Sequence, residues 1–281
     1  MGDRAEMDFH LPSARSFQSK QTRTKNMKII STIALSLLAA SLSSAGETNS
    51  NDEARTAVSK LKEQPNYSWV STLEMVDMPF TPEPQHGKTE KDGVSIVTQD
   101  FNGETTKAAF KGGKVVVFFD GEWQSVSNPD SDDFMDRAAM TARFLAGSGT
   151  AAKQAEELLG MTQTLKAGDD GVLAGDLTEK GVQDLLSFGP RRGNAPGAKN
   201  AKGSAKFWLK DGALVKFQSH IQGRIPFGPE QEERDMDITR TVEIKDVGKT
   251  KVEVPEEAKK KLDAAATKAE AAEPAKKPES K

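Results

Sequence analysis

The chain has 281 residues, with 39 Lys and Arg against 42 Asp and Glu, a formal net charge of −3, 36% hydrophobic residues and no cysteine. The lack of cysteine excludes disulfide frameworks, thiol nucleophiles, iron–sulfur clusters and Cys-ligated zinc. A pI near 5.8 and a mean hydropathy of −0.60 supply no basic footprint for nucleic acid and leave material for one moderate core.

Residues 1–26 have no apolar periodicity and read as an upstream extension from a mis-assigned start codon. Met27-Lys28 then precedes Ile29–Leu42, an uncharged run of Ile, Leu, Ala, Ser and Thr that ends in Ser43-Ser44-Ala45. A basic start, a short apolar centre and small residues at −3 and −1 predict a signal peptide over residues 27–45, cleaved before Gly46. The rival is a long cytoplasmic n-region before an uncleaved anchor, but the run is too short to cross about 30 Å of hydrocarbon as a helix. With no cysteine to acylate, the mature form is expected to be exported, periplasmic or extracellular, and without a stable membrane anchor.

The mature chain reads as a single domain over residues 46–263. Asn51–Lys62 predicts an amphipathic helix ended by Pro65. In Tyr67–Val76, Tyr67, Trp69, Leu73 and Met75 alternate with Ser68, Thr72 and Glu74, the period of a half-buried strand. Met78–His86 holds three prolines and reads as a loop or edge excursion. Strands are predicted at Gly93–Asn102, Glu104–Lys111, Lys114–Phe119 and Glu122–Val126. The pairs Asn102-Gly103, Gly112-Gly113 and Asp120-Gly121 between them suit two-residue hairpins, hence an antiparallel meander.

The pattern then changes to helices. Asp130–Asp133 reads as the capped start of a helix through Ala146, with Phe134, Ala138, Ala142 and Leu145 on one face. Thr150 caps a second helix ending at Gly160. Thr178 opens a third, with Val182, Leu185 and Leu186 on one side. After a small-residue basic loop at Arg191–Gly203, strands return at Ser204–Lys210, Ala213–Gln222, Met236–Val247 and Lys249–Val254. Residues 264–281 lack large apolar side chains and read as a disordered Ala/Glu/Lys/Pro tail. The predicted fold is α+β, a curved antiparallel sheet of about eight strands forming an unclosed half-barrel, with helices covering its concave face.

Catalytic and metal signatures are absent. His86 and His220 have no HExxH or paired spacing, and there is no G-x-S-x-G or phosphate-cradling loop. Asp130–Asp133 and Asp169-Asp170-Gly171 lack the ligand spacing of an EF-hand and read as a cap and a turn. Arg191, Arg192, Lys199 and Lys202 make a basic loop without interleaved aromatics, so no nucleic acid is expected. What remains is apolar surface. Trp69, Phe110, Val117, Phe119, Phe207, Leu209, Val215, Phe217, Ile238 and Val242 occupy alternating strand positions. Each reads as core beneath the helices, and together they are also candidates to line a cavity for an apolar ligand. Phe207 with Leu209, and Val215 with Phe217, are expected to form one stripe across the Asp211-Gly212 turn.

Gly171–Leu177, Thr178–Leu186, Phe207–Phe217 and Gly248–Leu262 together resemble the second half of proteins in the LolA/LppX-like superfamily. The strand–Asp-Gly–strand hairpin and the closing V-E-V-P-E-E-A are the most suggestive pieces. The resemblance implies an exported protein with an unclosed barrel and helical lid that binds lipids or acyl chains. It also implies an arginine on an early strand that ties down the lid, whereas no arginine lies between Arg55 and Arg137. The expectation is an exported, soluble, non-enzymatic protein holding an apolar small molecule or lipid between sheet and lid, without cofactor or metal. Its alternatives are an envelope structural or interaction protein with the same fold and a filled core, engaging another envelope protein, and a hydrolase whose catalytic groups the sequence does not single out.

Overall fold

The computed structural model describes residues 49–76, 81–101, 103–126, 136–187, 197–227 and 232–270. The signal-peptide and upstream-extension residues, residues 191–196 of the basic loop, Asp130–Asp133 and Phe134, and residues 271–281 lie outside them, whereas Lys199–Gly203, expected in that loop, begin a strand. Helix α1 (Ser50–Lys62) leads into β1 (Asn66–Met75), β2 (Gln85–Glu90), β3 (Ser95–Phe101), β4 (Glu104–Lys111), β5 (Lys114–Phe119) and β6 (Glu122–Val126). Helices α2 (Arg137–Ala146) and α3 (Ala151–Gly160) follow, then β7 (Lys166–Ala167), β8 (Val172–Asp176) and α4 (Glu179–Leu186). The chain ends in β9 (Lys199–Lys210), β10 (Ala213–Phe227), β11 (Glu232–Lys245) and α5 (Glu256–Glu270).

All the strands pair antiparallel in one sheet of eleven, ordered β6-β5-β4-β3-β2-β1-β11-β10-β9-β8-β7. β6 and β7 are its two edges and do not meet, so the barrel stays unclosed, as expected. The meander and the late hairpin form where their turns permit. Asp211 and Gly212 sit at φ 53° and 70°, as do Asp120 and Gly121 at 51° and 82°, the positive pair that a two-residue hairpin of the right twist requires.

Helices α1, α2, α3 and α4 share one core with one face of the sheet, through residues such as Val58, Leu145, Leu158 and Val182. Their caps are local and sequence-encoded. Thr150 accepts the Lys153 amide, Thr178 accepts the Gly181 amide and Asn49 accepts the Asn51 amide. The cap of α2 is Asp136, which accepts the Ala139 amide at 2.9 Å.

Several expectations need correction. Beyond the helices on the inner face, α5 covers the outer face, where Ala258 and Leu262 pack with Ile96, Ala109, Val116 and Trp123. The middle strands therefore bury both faces: Val97, Ala108 and Val117 belong to the inner core, while their neighbours Ile96, Ala109 and Val116 belong to the outer one. This explains the unbroken apolar run of Val115–Phe119, which a one-sided strand would interrupt. α5 extends to Glu270. Lys249–Val254 forms no ladder; Val252 and Val254 alternate because they pack on the outer core. β2 (QHGKTE) and β7 (KA) carry too few apolar residues to be read as strands, and β8 (VLAGD) is too short to show a period.

Candidate functional site

The inner face is built by alternate residues of adjacent strands. Phe207 stands opposite Leu173 of β8 and Phe217 of β10, and Phe217 stands opposite Val242 of β11. On the other side, Trp69 stands opposite Ile244 and Gly87, Gly87 opposite Val97, Val97 opposite Ala108 and Ala108 opposite Val117. Gly87 is what allows this row. A Cβ there would lie 2.0 Å from Cε2 of Trp69, so the indole lies flat across the glycine and fills the space that a side chain would take.

The structure brings most of the sequence-predicted residues to this face. Trp69, Val117, Phe207, Leu209, Phe217, Ile238 and Val242 are buried in the inner core, and Phe110 and Phe119 are partly buried against it. Val215 is not among them. The register slips between Leu214 and Lys216 opposite Leu209 and Trp208, which is a β-bulge with one extra residue on β10. Val215 is turned out at 37% exposure, and Leu214 takes the place beside Leu209 that the alternation assigned to Val215. The bulge is invisible in the sequence because both residues are apolar.

Between this face and the helices lies a groove of about 440 Å3. Its apolar lining comes from Phe110 of β4, Val115 of β5, and Ala142 and Ala146 of α2. Its rim carries Lys111, Arg143 and Lys153, with Glu90 and Asp92 from the β2–β3 turn. Of the ten candidate residues only Phe110 lines it. The groove sits at the ends of β2–β5 and beneath the α2–α3 connection, away from the Asp211-Gly212 hairpin.

Polar groups hold the helices over the sheet at specific points. The α3 N-terminus is fixed by Tyr67, whose buried hydroxyl accepts the Ala152 amide at 3.1 Å. Burial raises the Tyr67 pKa, against hydrogen bonds to Thr150 and Ala152 that lower it. Gln85 of β2 donates to the Phe144 carbonyl of α2 at 3.4 Å and to Oε1 of Gln99 at 3.3 Å.

The functional residue that sequence reasoning missed is Arg240. It lies on β11, opposite Leu73 of β1 and Ser219 of β10. Its Nε donates to Ser71 Oγ at 3.0 Å, and its Nη1 donates to Ser148 Oγ in the α2–α3 connection at 3.2 Å. Burial pushes its pKa below the ordinary arginine value, although an arginine remains charged in proteins. Because β11 pairs with β1, this late strand sets the guanidinium beside Ser71 of β1. The signal that could have found it is Arg240 in Met236–Val247, a cation at an apolar position between Ile238 and Val242.

On the outer face, His220 Nε2 and Asp237 Oδ1 lie 2.9 Å apart, and Gln222 donates to the other Asp237 oxygen at 2.6 Å. Asp237 is held below the usual carboxylate range by these hydrogen bonds, that of Gln222 foremost. Among the described residues no cluster of three His, Asp or Glu could hold a metal, and no helix is long and apolar enough to cross a membrane.

No family model matches the chain, and no curated protein matches it. Among solved structures its fold is similar to that of lipoprotein LppX from Mycobacterium tuberculosis, with 11% identity, 73% of this chain and 98% of that chain covered, and a TM-score of 0.40. It is similar to LprF from Mycobacterium bovis, with 12% identity, 74% and 97% covered, and a TM-score of 0.37. It is also similar to a LolA superfamily protein from Nitrosomonas europaea, with 10% identity, 73% and 95% covered, and a TM-score of 0.32.

Proposed function

We propose that this is an exported, non-enzymatic binding protein that holds an apolar or lipid-like ligand between its sheet and its helices. The observation that carries the reading is the groove of about 440 Å3 beneath α2 and the α2–α3 connection, with Phe110, Val115, Ala142 and Ala146 as its apolar lining. Its volume falls within the roughly 300–1,000 Å3 of small-molecule sites, and polar side chains, among them Thr89, Ser95, Lys111, Arg143 and Lys153, line it beside the apolar ones and can orient a ligand. The small side chains on the helix matter most. Ala142 and Ala146 are the residues of α2 that give the groove an apolar wall. The signal-like segment at residues 27–45 supports export.

Filling the groove tests the reading. Ala146→Trp places an indole in it, and titration with a fluorescent C16 fatty-acid probe reads the result. Wild type is expected to bind the probe, and Ala146→Trp, shown to be folded by circular dichroism, to lose at least tenfold in affinity. Equal binding by both proteins would contradict the proposal.

A second reading, an interaction protein with a filled core that engages another envelope protein, is favoured by one observation. Phe207 and Val242 have no exposed surface and Trp69 and Phe217 almost none, so the centre of the inner face is already packed.

A further inference from the structure

Arg240 is an inner-face cation without a counter-ion. The exposed Arg224 pairs with Asp235 at 2.9 Å and Arg55 with Asp52 at 3.8 Å, but Arg240 forms no ion pair among the described residues. Its two hydrogen bonds go to the neutral hydroxyls of Ser71 and Ser148. A guanidinium has five N–H donors, of which three are left over here. Arg240 is partly buried, and hydroxyls offset only part of the cost of drawing a charge out of water. The planar fork is the shape that takes the two oxygens of a carboxylate or phosphate together.

The position is equally specific. Ser148 lies between Gly147 and Gly149, both of which line the apolar groove. The guanidinium therefore meets the same α2–α3 connection that roofs the groove. We infer that Arg240 receives the anionic head, a carboxylate or phosphate, of an amphiphile whose apolar part occupies the groove; the inference rests on the binding function proposed above and names the chemistry of its ligand. A single amphiphile then spans both features, and neutral lipids lack the group that the arginine addresses.

Calorimetric titration of the full chain with palmitate and with hexadecanol, equal in chain length and different in charge, tests this. Wild type is expected to bind palmitate at least about tenfold more tightly, and Arg240→Leu to bring that ratio to about one. Arg240→Lys keeps the charge and loses the fork, so it should give an intermediate ratio; it also serves if the leucine variant does not fold. Equal binding of palmitate and hexadecanol by wild type overturns the anion site and leaves the groove reading standing. Binding of neither overturns both. Arg240-dependent binding of inorganic phosphate without palmitate binding assigns the site to a free anion and overturns the amphiphile.

Discussion

Three residues show how single side chains set the inner face. Gly87 exists for Trp69: an added methyl would lie within 2.1 Å of two indole carbons, and a buried ring has nowhere to move. Gly87→Ala should therefore destabilise by about 1–3 kcal/mol through overpacking, measured by urea denaturation. A neutral outcome would mean that the indole is free to shift. Phe217, packed between Phe207 and Val242, should cost about 3–5 kcal/mol when changed to alanine. Tyr67 is the only tyrosine of the chain, so tyrosinate absorbance reports it alone. Burial raises its pKa above the ordinary value near 10. Its contribution to stability is thus fully present below pH 10 and is lost as pH rises through the higher folded value. The absorbance midpoint should lie above 10 in the native protein and return to about 10 in denaturant. A native midpoint at or below 10 would contradict the burial of the hydroxyl.

Among the elements, α5 gives the sharpest contrast. Its described contacts with the outer core come from Ala258 and Leu262, one turn apart. Truncation after Asp263 keeps both and should leave the melting temperature nearly unchanged. Truncation after Val254 removes both, uncovers Ile96, Val116 and Trp123, and should lower it by several degrees. Equal melting of the two variants would mean that α5 adds nothing to the outer core. This helix also shows where reading the sequence succeeds and fails. α1, α3, α4, the meander and the late hairpin are legible because caps, periodicity and Asp-Gly or Gly-Gly turns are written locally. α5 is not, because a lysine- and alanine-rich stretch with a single leucine, Leu262, looks solvated until Trp123 and Val116 are known to need a cover. β2 is hidden for a related reason: its buried positions are Gly87 and Thr89, whose burial comes from Trp69 and from Ser95 on neighbouring strands. The candidate site was legible as an apolar face but not as a groove. Its walls come from β4, β5 and α2, and its cation comes from β11 by a pairing of distant segments.

At the scale of the whole molecule, one sheet carries two different surfaces. The outer face around β3–β6 is closed by α5. The inner face is covered by four helices that pack closely around Trp69, Phe207, Phe217 and Val242 and leave a groove over β3–β5, beside Phe110 and Val115. The unclosed order, with β6 and β7 apart, lets the two ends of the sheet differ in this way: one end makes a packed core that holds the fold, the other a groove that can take a ligand. The central claim is the location of that ligand, and amide chemical-shift mapping of the isotope-labelled protein during titration with palmitate tests it most directly. The account predicts saturable shifts concentrated at Phe110, Val115, Ala142, Ala146 and Ser148, with Arg240 among them. No saturable shifts, or shifts centred on Trp123 and α5 of the outer face, would contradict it.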